Sequence, residues 1–149
     1  MALLGWKYNM DNIQAAMLLP QMQRLADSHR RRISLAARYR ERLSALPGVR
    51  LPNTRPGVIH AHLLFPIWVA PERRDALLAG LQAAGVGVVV NYRAIHLLHY
   101  FATTFGYHRG DYPVAEAIGD AALSLPFYPG MGEAAVDEVV RRLSLLVQG

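Results

Sequence analysis

The first third of the chain carries a helical pattern of apolar and polar positions. Apolar residues recur every three or four positions from Ala15 to Leu46, with charged residues between them. This spacing predicts one long amphipathic helix, or two helices end to end. Asp11, followed three residues later by a glutamine, has the pattern of a capping box, so the helix is expected to begin there. Pro47-Gly48 is expected to end it.

Two features modify this helical prediction. Pro20 removes a backbone donor inside the helix and crowds the preceding turn, which predicts a kink at that residue. The segment 15–19 is apolar on all sides. We therefore expect it to be buried on every side.

The rest of the chain alternates between strand and helix patterns. Val58–Val69 alternates with period two and predicts a half-buried strand, in which Pro66 indicates an edge position or a bulge. The further predicted elements are a helix over 71–84 ended by Gly85 in the left-handed conformation, a strand over 86–92, a loop with a short helix over 94–110, a helix over 112–122, a strand over 123–127 and a helix over 133–147. This order predicts an α/β fold in which helices cover one face of a small sheet.

Composition narrows the class of protein. With 149 residues, 52% of them hydrophobic and 18% charged, the chain suits one domain with apolar surface to spare for a partner. It has no cysteine, which excludes disulfides, thiolate metal sites and thiol nucleophiles and is compatible with the cytoplasm. The apolar start is interrupted by Lys7, and no apolar run approaches the ~20 residues that cross a bilayer. A soluble, cytoplasmic protein is expected.

The formal charge of +5 comes almost entirely from arginine. An anionic partner such as nucleic acid would account for it, but so would a solvated helix face. The basic residues are spread along the chain and are not interleaved with aromatic ones, which favours the solvated face. No nucleic-acid partner is predicted.

Two groups of residues could carry chemistry. His60 and His62 share a strand face and could form a two-ligand metal corner, but no third ligand is evident and the strand alternation explains them equally well. No metal site is predicted. Arg93 and His96 follow a predicted strand, where α/β layers hold ligands; arginine binds carboxylate or phosphate, and histidine can orient a substrate or pass a proton. An ordinary polar loop is the alternative.

Several motifs in order resemble a known family. They are the opening block Gly5-Trp6-Lys7-Tyr8-Asn9-Met10-Asp11-Asn12-Ile13-Gln14-Ala15-Ala16, then His60-Ala61, Leu64-Phe65, the stretch Val90-Asn91-Tyr92-Arg93-Ala94-Ile95-His96 with Tyr100 following, and Leu123-Ser124-Leu125-Pro126-Phe127-Tyr128-Pro129-Gly130-Met131. Together they resemble the carboxy-terminal part of the DegT/DnrJ/EryC1/StrS sugar aminotransferases, and most closely the enzymes of the UDP-4-amino-4-deoxyarabinose type.

The resemblance implies the small carboxy-terminal domain of a fold-type-I, aspartate aminotransferase-like enzyme over residues 1–149, with the large pyridoxal phosphate domain absent. Such enzymes are usually homodimers. They use a lysine Schiff base to pyridoxal phosphate to move an amino group from glutamate to a 4-keto nucleotide sugar for surface polysaccharide such as lipopolysaccharide. Because the lysine belongs to the absent domain, the resemblance implies no catalytic residue here and an inactive fragment.

The resemblance also implies roles for individual residues. Lys7, the one lysine of the chain, with Tyr8 and Asn9 matches a segment that reaches the neighbouring subunit's cofactor phosphate. Arg93 and His96 match positions near substrate. Departures from relatives at Val88-Val89 and His62-Leu63 leave the sugar open. The alternative to an aminotransferase domain is a stand-alone interaction or anion-binding module without catalysis.

Overall fold

The computed structural model describes residues 8–149, and these form an α/β fold. In chain order the elements are α1 (Asn12–Gln23), α2 (Leu25–Leu43), β1 (Phe65–Trp68), α3 (Pro71–Ala83), a single 3-10 turn (Ile95–Leu97), α4 (His99–Phe105), α5 (Pro113–Ala121), β2 (Ala122–Leu125) and α6 (Glu133–Gln148). The predicted α/β class and the four helices of the second half are confirmed. Gly85 follows α3 with a φ of 79°, as its predicted capping role requires.

The long helical stretch is divided into two helices. The break lies at Arg24, one turn after Pro20, where the kink was expected. The Pro20 carbonyl, which would accept the Arg24 N–H in a continuous helix, accepts the Arg24 Nε–H instead at 3.1 Å. The Arg24 N–H turns to the Gln21 carbonyl at 3.2 Å, so the regular ladder ends there.

The first of these helices is exposed along its whole length. Asp11 caps α1 by accepting from the Gln14 N–H at 2.8 Å, as predicted. No residue of α1 is buried, so the expectation that 15–19 is buried on every side is wrong for this chain. Met17 and Leu19 are each 63% exposed, because nothing in the described residues packs over them.

The sheet is smaller than the sequence pattern indicated. β1 and β2 pair antiparallel, with Phe65 opposite Leu125 and Ile67 opposite Leu123. Single bridges from Arg50 to Trp68 and from Val89 to Ser124 extend the pairing on either side. The predicted strand over 86–92 is thus reduced to one bridging residue, and Pro66 lies in an edge strand as predicted.

The predicted strand over 58–69 forms only in its last third. Its earlier carbonyls are bonded by side chains of α2: Arg32 donates to the His62 carbonyl at 2.9 Å, and the His29 ring bonds the His60 carbonyl at 2.9 Å. His62 has a φ of 49°, which breaks the extended conformation. The segment therefore runs along α2 and does not join the sheet.

One hydrophobic core joins α2, the sheet, α3 and α6. Tyr39 of α2 is fully buried, its ring stacks on Phe65 at 4.6 Å, and its hydroxyl donates to the Pro126 carbonyl at 2.9 Å. Burial raises the pKa of Tyr39, so the hydroxyl keeps its proton. All four residues of β2 are buried, which means that this strand is covered on both faces and not on one.

Candidate functional site

An open cavity of about 560 Å³ lies where the chain leaves the sheet after Val89. Its walls are formed by the loop that follows the bridge between Val89 and Ser124, by α4 and by α5. Six of the residues that line it are polar or aromatic: Tyr92, Arg93, His96, Phe101, Tyr107 and Tyr112. Both residues that the sequence singled out after the predicted strand, Arg93 and His96, are therefore in one cavity. Aromatic walls with a few polar groups are typical of small-molecule sites.

Gly119 of α5 determines how closely this loop packs. A Cβ at this position would lie 2.6 Å from the Ala94 backbone nitrogen and 3.1 Å from the Arg93 carbonyl carbon. A side chain of any size would push the loop away from α5. The absence of a side chain at Gly119 thus lets the loop that carries Arg93 and His96 pack directly against α5, which forms another wall of the cavity.

His96 is buried, with 7% of its surface exposed. Its Nε2 lies 3.0 Å from Oε1 of Glu116 on α5. The edges of Tyr112 and Tyr107 meet its ring at centroid distances of 4.8 and 6.3 Å. The ring is therefore held both by a carboxylate and by aromatic packing.

Glu116 is a buried carboxylate that collects several donors. Its Oε1 also accepts the N–H of Gly110 at 2.8 Å and that of Tyr112 at 3.3 Å. Burial acts to raise the pKa of Glu116, but the hydrogen bonds from Gly110, His96 and Tyr112 outweigh it, so the pKa lies below its usual value. Glu116 is ionised at neutral pH.

Two arginines carry positive charge near the site: Arg93, which lines the cavity, and Arg109, which pairs with carboxylates of α5. Arg109 donates to Asp120 at 2.8 Å and lies 3.6 Å from Oε2 of Glu116, so it serves two carboxylates. The pKa of Asp120 lies below its usual value. The hydrogen bond from Arg109 makes the largest contribution to this shift, and the nearby charges of Arg74 and Arg93 also lower the pKa. Arg93 itself is exposed and has no ion-pair partner within residues 8–149. Its guanidinium is available to an anion.

The remaining predicted site residues lie elsewhere. Tyr8 and Asn9 precede α1 and are exposed, and neither lines the cavity. Lys7 lies outside the described residues. The rings of His60 and His62 lie 4.3 Å apart, tilted by 42°, but the His60 Nδ1 accepts the His62 backbone N–H at 2.9 Å. In the described part of the chain, no group of three or more His, Cys, Asp or Glu could hold a metal ion.

Sequence reasoning missed Glu116, Tyr107, Arg109 and Tyr112. The available signal was Glu116 itself, an acid within the apolar run of a short helix that begins at Pro113. A carboxylate in such a position needs a partner when the helix packs. The pattern could have marked it as a buried acid but could not have named His96, 20 residues earlier.

A comparison with protein families identifies the chain. The family model described as DegT/DnrJ/EryC1/StrS aminotransferase family matches residues 1–144. The chain belongs to this family. Its resemblance by motif is thereby confirmed, and the matched part is a carboxy-terminal portion of the family's fold.

Curated relatives agree with the family match. The spore coat polysaccharide biosynthesis protein SpsC of Bacillus subtilis is 32% identical over 150 residues, which cover 97% of this chain and 39% of SpsC. The erythromycin biosynthesis sensory transduction protein EryC1 of Saccharopolyspora erythraea is 36% identical, over 93% of this chain and 37% of EryC1. This chain thus spans less than two fifths of the length of the curated relatives it matches.

Solved structures show the same fold. DesV of S. venezuelae, solved in complex with a ketimine intermediate, is 31% identical with a TM-score of 0.86, over 94% of this chain and 37% of DesV. Spr1654 of Streptococcus pneumoniae has a TM-score of 0.90 at 22% identity, over 99% of this chain and 37% of Spr1654, and supports the fold alone. No helix in the range 8–149 is both long and apolar enough to cross a membrane.

Proposed function

We propose that residues 1–149 are the carboxy-terminal domain of a pyridoxal phosphate-dependent sugar aminotransferase. The whole enzyme would move an amino group from glutamate to a 4-keto nucleotide sugar in the synthesis of surface polysaccharide. The observation that carries this proposal is the family match over residues 1–144. DesV, at 31% identity, was solved with a ketimine intermediate, and a ketimine is an intermediate typical of pyridoxal phosphate enzymes, which supports the choice of cofactor.

The described residues do not fit a complete cofactor site. Pyridoxal phosphate needs a lysine amine for its Schiff base, and the one lysine of the sequence, Lys7, precedes residue 8. We propose that the Schiff-base lysine comes from a larger domain outside these 149 residues, and that the chain by itself is inactive. Lys7, Tyr8 and Asn9 would contact the cofactor phosphate of a neighbouring subunit. The exposure of Tyr8 and Asn9 is compatible with that contact.

The aromatic cavity would form one wall of the substrate site. Arg93 would bind an anionic group of the substrate, since the residue is exposed at the cavity and a guanidinium can donate two parallel hydrogen bonds to a carboxylate or phosphate. His96 would bind a hydroxyl of the sugar. Tyr92, Tyr107 and Tyr112 would offer their ring faces and hydroxyls to the same ligand.

The exposed apolar surface of α1 supports a partner in the whole enzyme. Ile13, Met17 and Met22 are 75%, 63% and 67% exposed along one 12-residue helix. An apolar surface of this kind usually marks an interface. We propose that the larger domain or a second subunit covers it, and that the homo-oligomeric enzyme works in the cytoplasm.

A chimera tests the proposed function. In it, this chain replaces the matched carboxy-terminal part of DesV, and the purified chimera is supplied with pyridoxal phosphate, glutamate and a keto nucleotide sugar. We expect absorbance to show the cofactor bound and glutamate to convert it to the pyridoxamine form. Arg93→Ala should lower the rate of transfer to the keto sugar at least tenfold.

The matched control is Arg55→Ala, which removes an exposed arginine that does not line the cavity. It should leave the rate unchanged. Equal rates in the two variants would exclude the role of Arg93. The isolated chain gives a second arm: borohydride reduction in the presence of pyridoxal phosphate should leave no cofactor on Lys7. Turnover of a keto sugar by the isolated chain would overturn the proposal.

A further inference from the structure

Glu116 reaches across the cavity wall to a histidine on a different segment. Its Oε1 lies 3.0 Å from Nε2 of His96, and the two side chains are equally buried, at 7% exposure each. An ionised carboxylate has acceptors and no proton to donate. The proton of this hydrogen bond must therefore be on Nε2 of His96.

This assignment determines what the other ring nitrogen can do. In a neutral imidazole one nitrogen donates and the other accepts. With its proton on Nε2, the His96 ring has its lone pair on Nδ1. Nδ1 can then accept a hydrogen bond but cannot donate one.

The Nδ1 atom has room for a ligand. It has no hydrogen-bond partner within residues 8–149. In that range the fully buried side-chain nitrogens that lack a hydrogen-bond partner are both on Arg74, so Nδ1 of His96, which is not among them, is not fully buried. His96 lines the cavity beside Arg93 and the tyrosines.

We propose that Glu116 is a positioning residue, which holds His96 in the Nε2–H tautomer and so presents Nδ1 to the cavity as a hydrogen-bond acceptor for a ligand hydroxyl. The choice of a sugar hydroxyl as ligand rests on the proposed function. The choice of tautomer rests on the geometry of Glu116. A ligand that offers only acceptors at this point would be disfavoured.

A purely structural role for Glu116 makes a different prediction. The same Oε1 accepts from Gly110 and Tyr112, so Glu116 also closes the turn before α5. If loop closure were its whole role, removal of the Glu116 carboxylate would leave the ratio of the two neutral His96 tautomers unchanged. The tautomer of His96 therefore separates the two accounts.

Nitrogen-15 NMR of the histidine rings in the 149-residue chain at pH 8 tests this directly. His96→Gln identifies the His96 signals by their loss. We expect a single tautomer in the wild-type chain, protonated on Nε2. A ring protonated on Nδ1, or an even mixture of tautomers, would overturn the proposal without any variant of Glu116.

Two variants of Glu116 sharpen the test. Glu116→Gln keeps a carbonyl oxygen that can accept the same three N–H groups and should keep the Nε2–H tautomer. Glu116→Ala should raise the population of the Nδ1–H tautomer to a level that is measurable beside the Nε2–H form. Asp120→Ala is the matched control on the same helix: it removes a partner of Arg109 that does not touch His96, and should leave the tautomer unchanged. A single Nε2–H tautomer in Glu116→Ala would refute the positioning role.

This readout needs neither cofactor nor substrate, so it is independent of the aminotransferase assignment. A wild-type chain with the Nε2–H tautomer whose chimera fails to transfer an amino group would support the positioning role and refute the proposed function. A chimera that transfers the amino group, together with an even mixture of His96 tautomers in the wild-type chain, would support the proposed function and refute the positioning role.

Discussion

The helices α1 and α2 follow each other directly along the chain but differ in what they bury. The second helix is amphipathic and buries Leu35, Ala36, Tyr39 and Leu43 in the core. The first is apolar around much of its surface and buries nothing. An amphipathic helix needs cover on one side, which the sheet and α6 provide, whereas a helix with apolar residues all round needs cover on every side.

This contrast shows that apolar content and burial are separate properties. The apolar residues of α1 are those of a buried helix, but its surroundings in residues 8–149 are those of a surface helix. Hydrophobic stabilisation depends on the area removed from water and not on residue type. We therefore expect α1 to contribute almost nothing to the stability of this chain, and α2 to contribute much of it.

Truncation of a core side chain should have the largest effect. Tyr39→Ala removes a fully buried ring that stacks on Phe65, and should lower the free energy of unfolding by about 3–5 kcal/mol. Leu19→Ala in α1 removes a side chain that is 63% exposed and should change it by less than about 0.5 kcal/mol. Urea unfolding followed by circular dichroism measures both. If the two variants lost the same free energy of unfolding, α1 would have to be packed in solution.

Addition of a methyl group should have an intermediate effect. Gly119→Ala places a Cβ against the Ala94 backbone and should cost about 1–3 kcal/mol, because the loop over 93–96 must move. Gly87→Ala is the control, since a Cβ there meets nothing within 4 Å. Thermal unfolding reports the loss, and the NMR signals of His96 should shift in Gly119→Ala alone. An unchanged transition in Gly119→Ala would contradict the close packing of α5.

Loss of the α1 cap should have the smallest effect on global stability. Asp11→Ala removes the acceptor for the Gln14 N–H, which costs the helix about 1 kcal/mol locally. Because α1 buries no residue, this loss should not reach the core. Hydrogen exchange should be faster for α1 amides and unchanged for those of α2. Faster exchange in both helices would show that the two unfold together.

Most helices could be predicted from the sequence, and so could the strand over 123–127, which β2 matches at Ala122–Leu125, whereas the extent of the other strands could not. Local signals mark these helices: a proline begins α3 and α5, Gly85 follows the end of α3, and apolar residues recur at helical spacing in α6. The strands predicted over 58–69 and 86–92 have suitable alternation but pair over only part of their length. A strand needs a neighbour, and which segment becomes that neighbour is not encoded in its own pattern.

The site was predicted in part. Arg93 and His96 were singled out because they follow a strand pattern, and the structure brings both to one cavity. The partner of His96 could not be predicted, since Glu116 lies 20 residues further on and reaches it only when α5 packs against the loop. That packing depends on the absence of a side chain at Gly119.

The sequence by itself determined the helices, their caps, the α/β class and the family, because helix bonds join residues four apart and motifs are contiguous. Only the tertiary structure decided which strand residues pair, which carboxylate meets His96 and that the apolar α1 is left exposed. Each of these depends on contacts between segments distant along the chain, or on cover from outside the described residues. No local pattern of apolar and polar positions specifies such contacts.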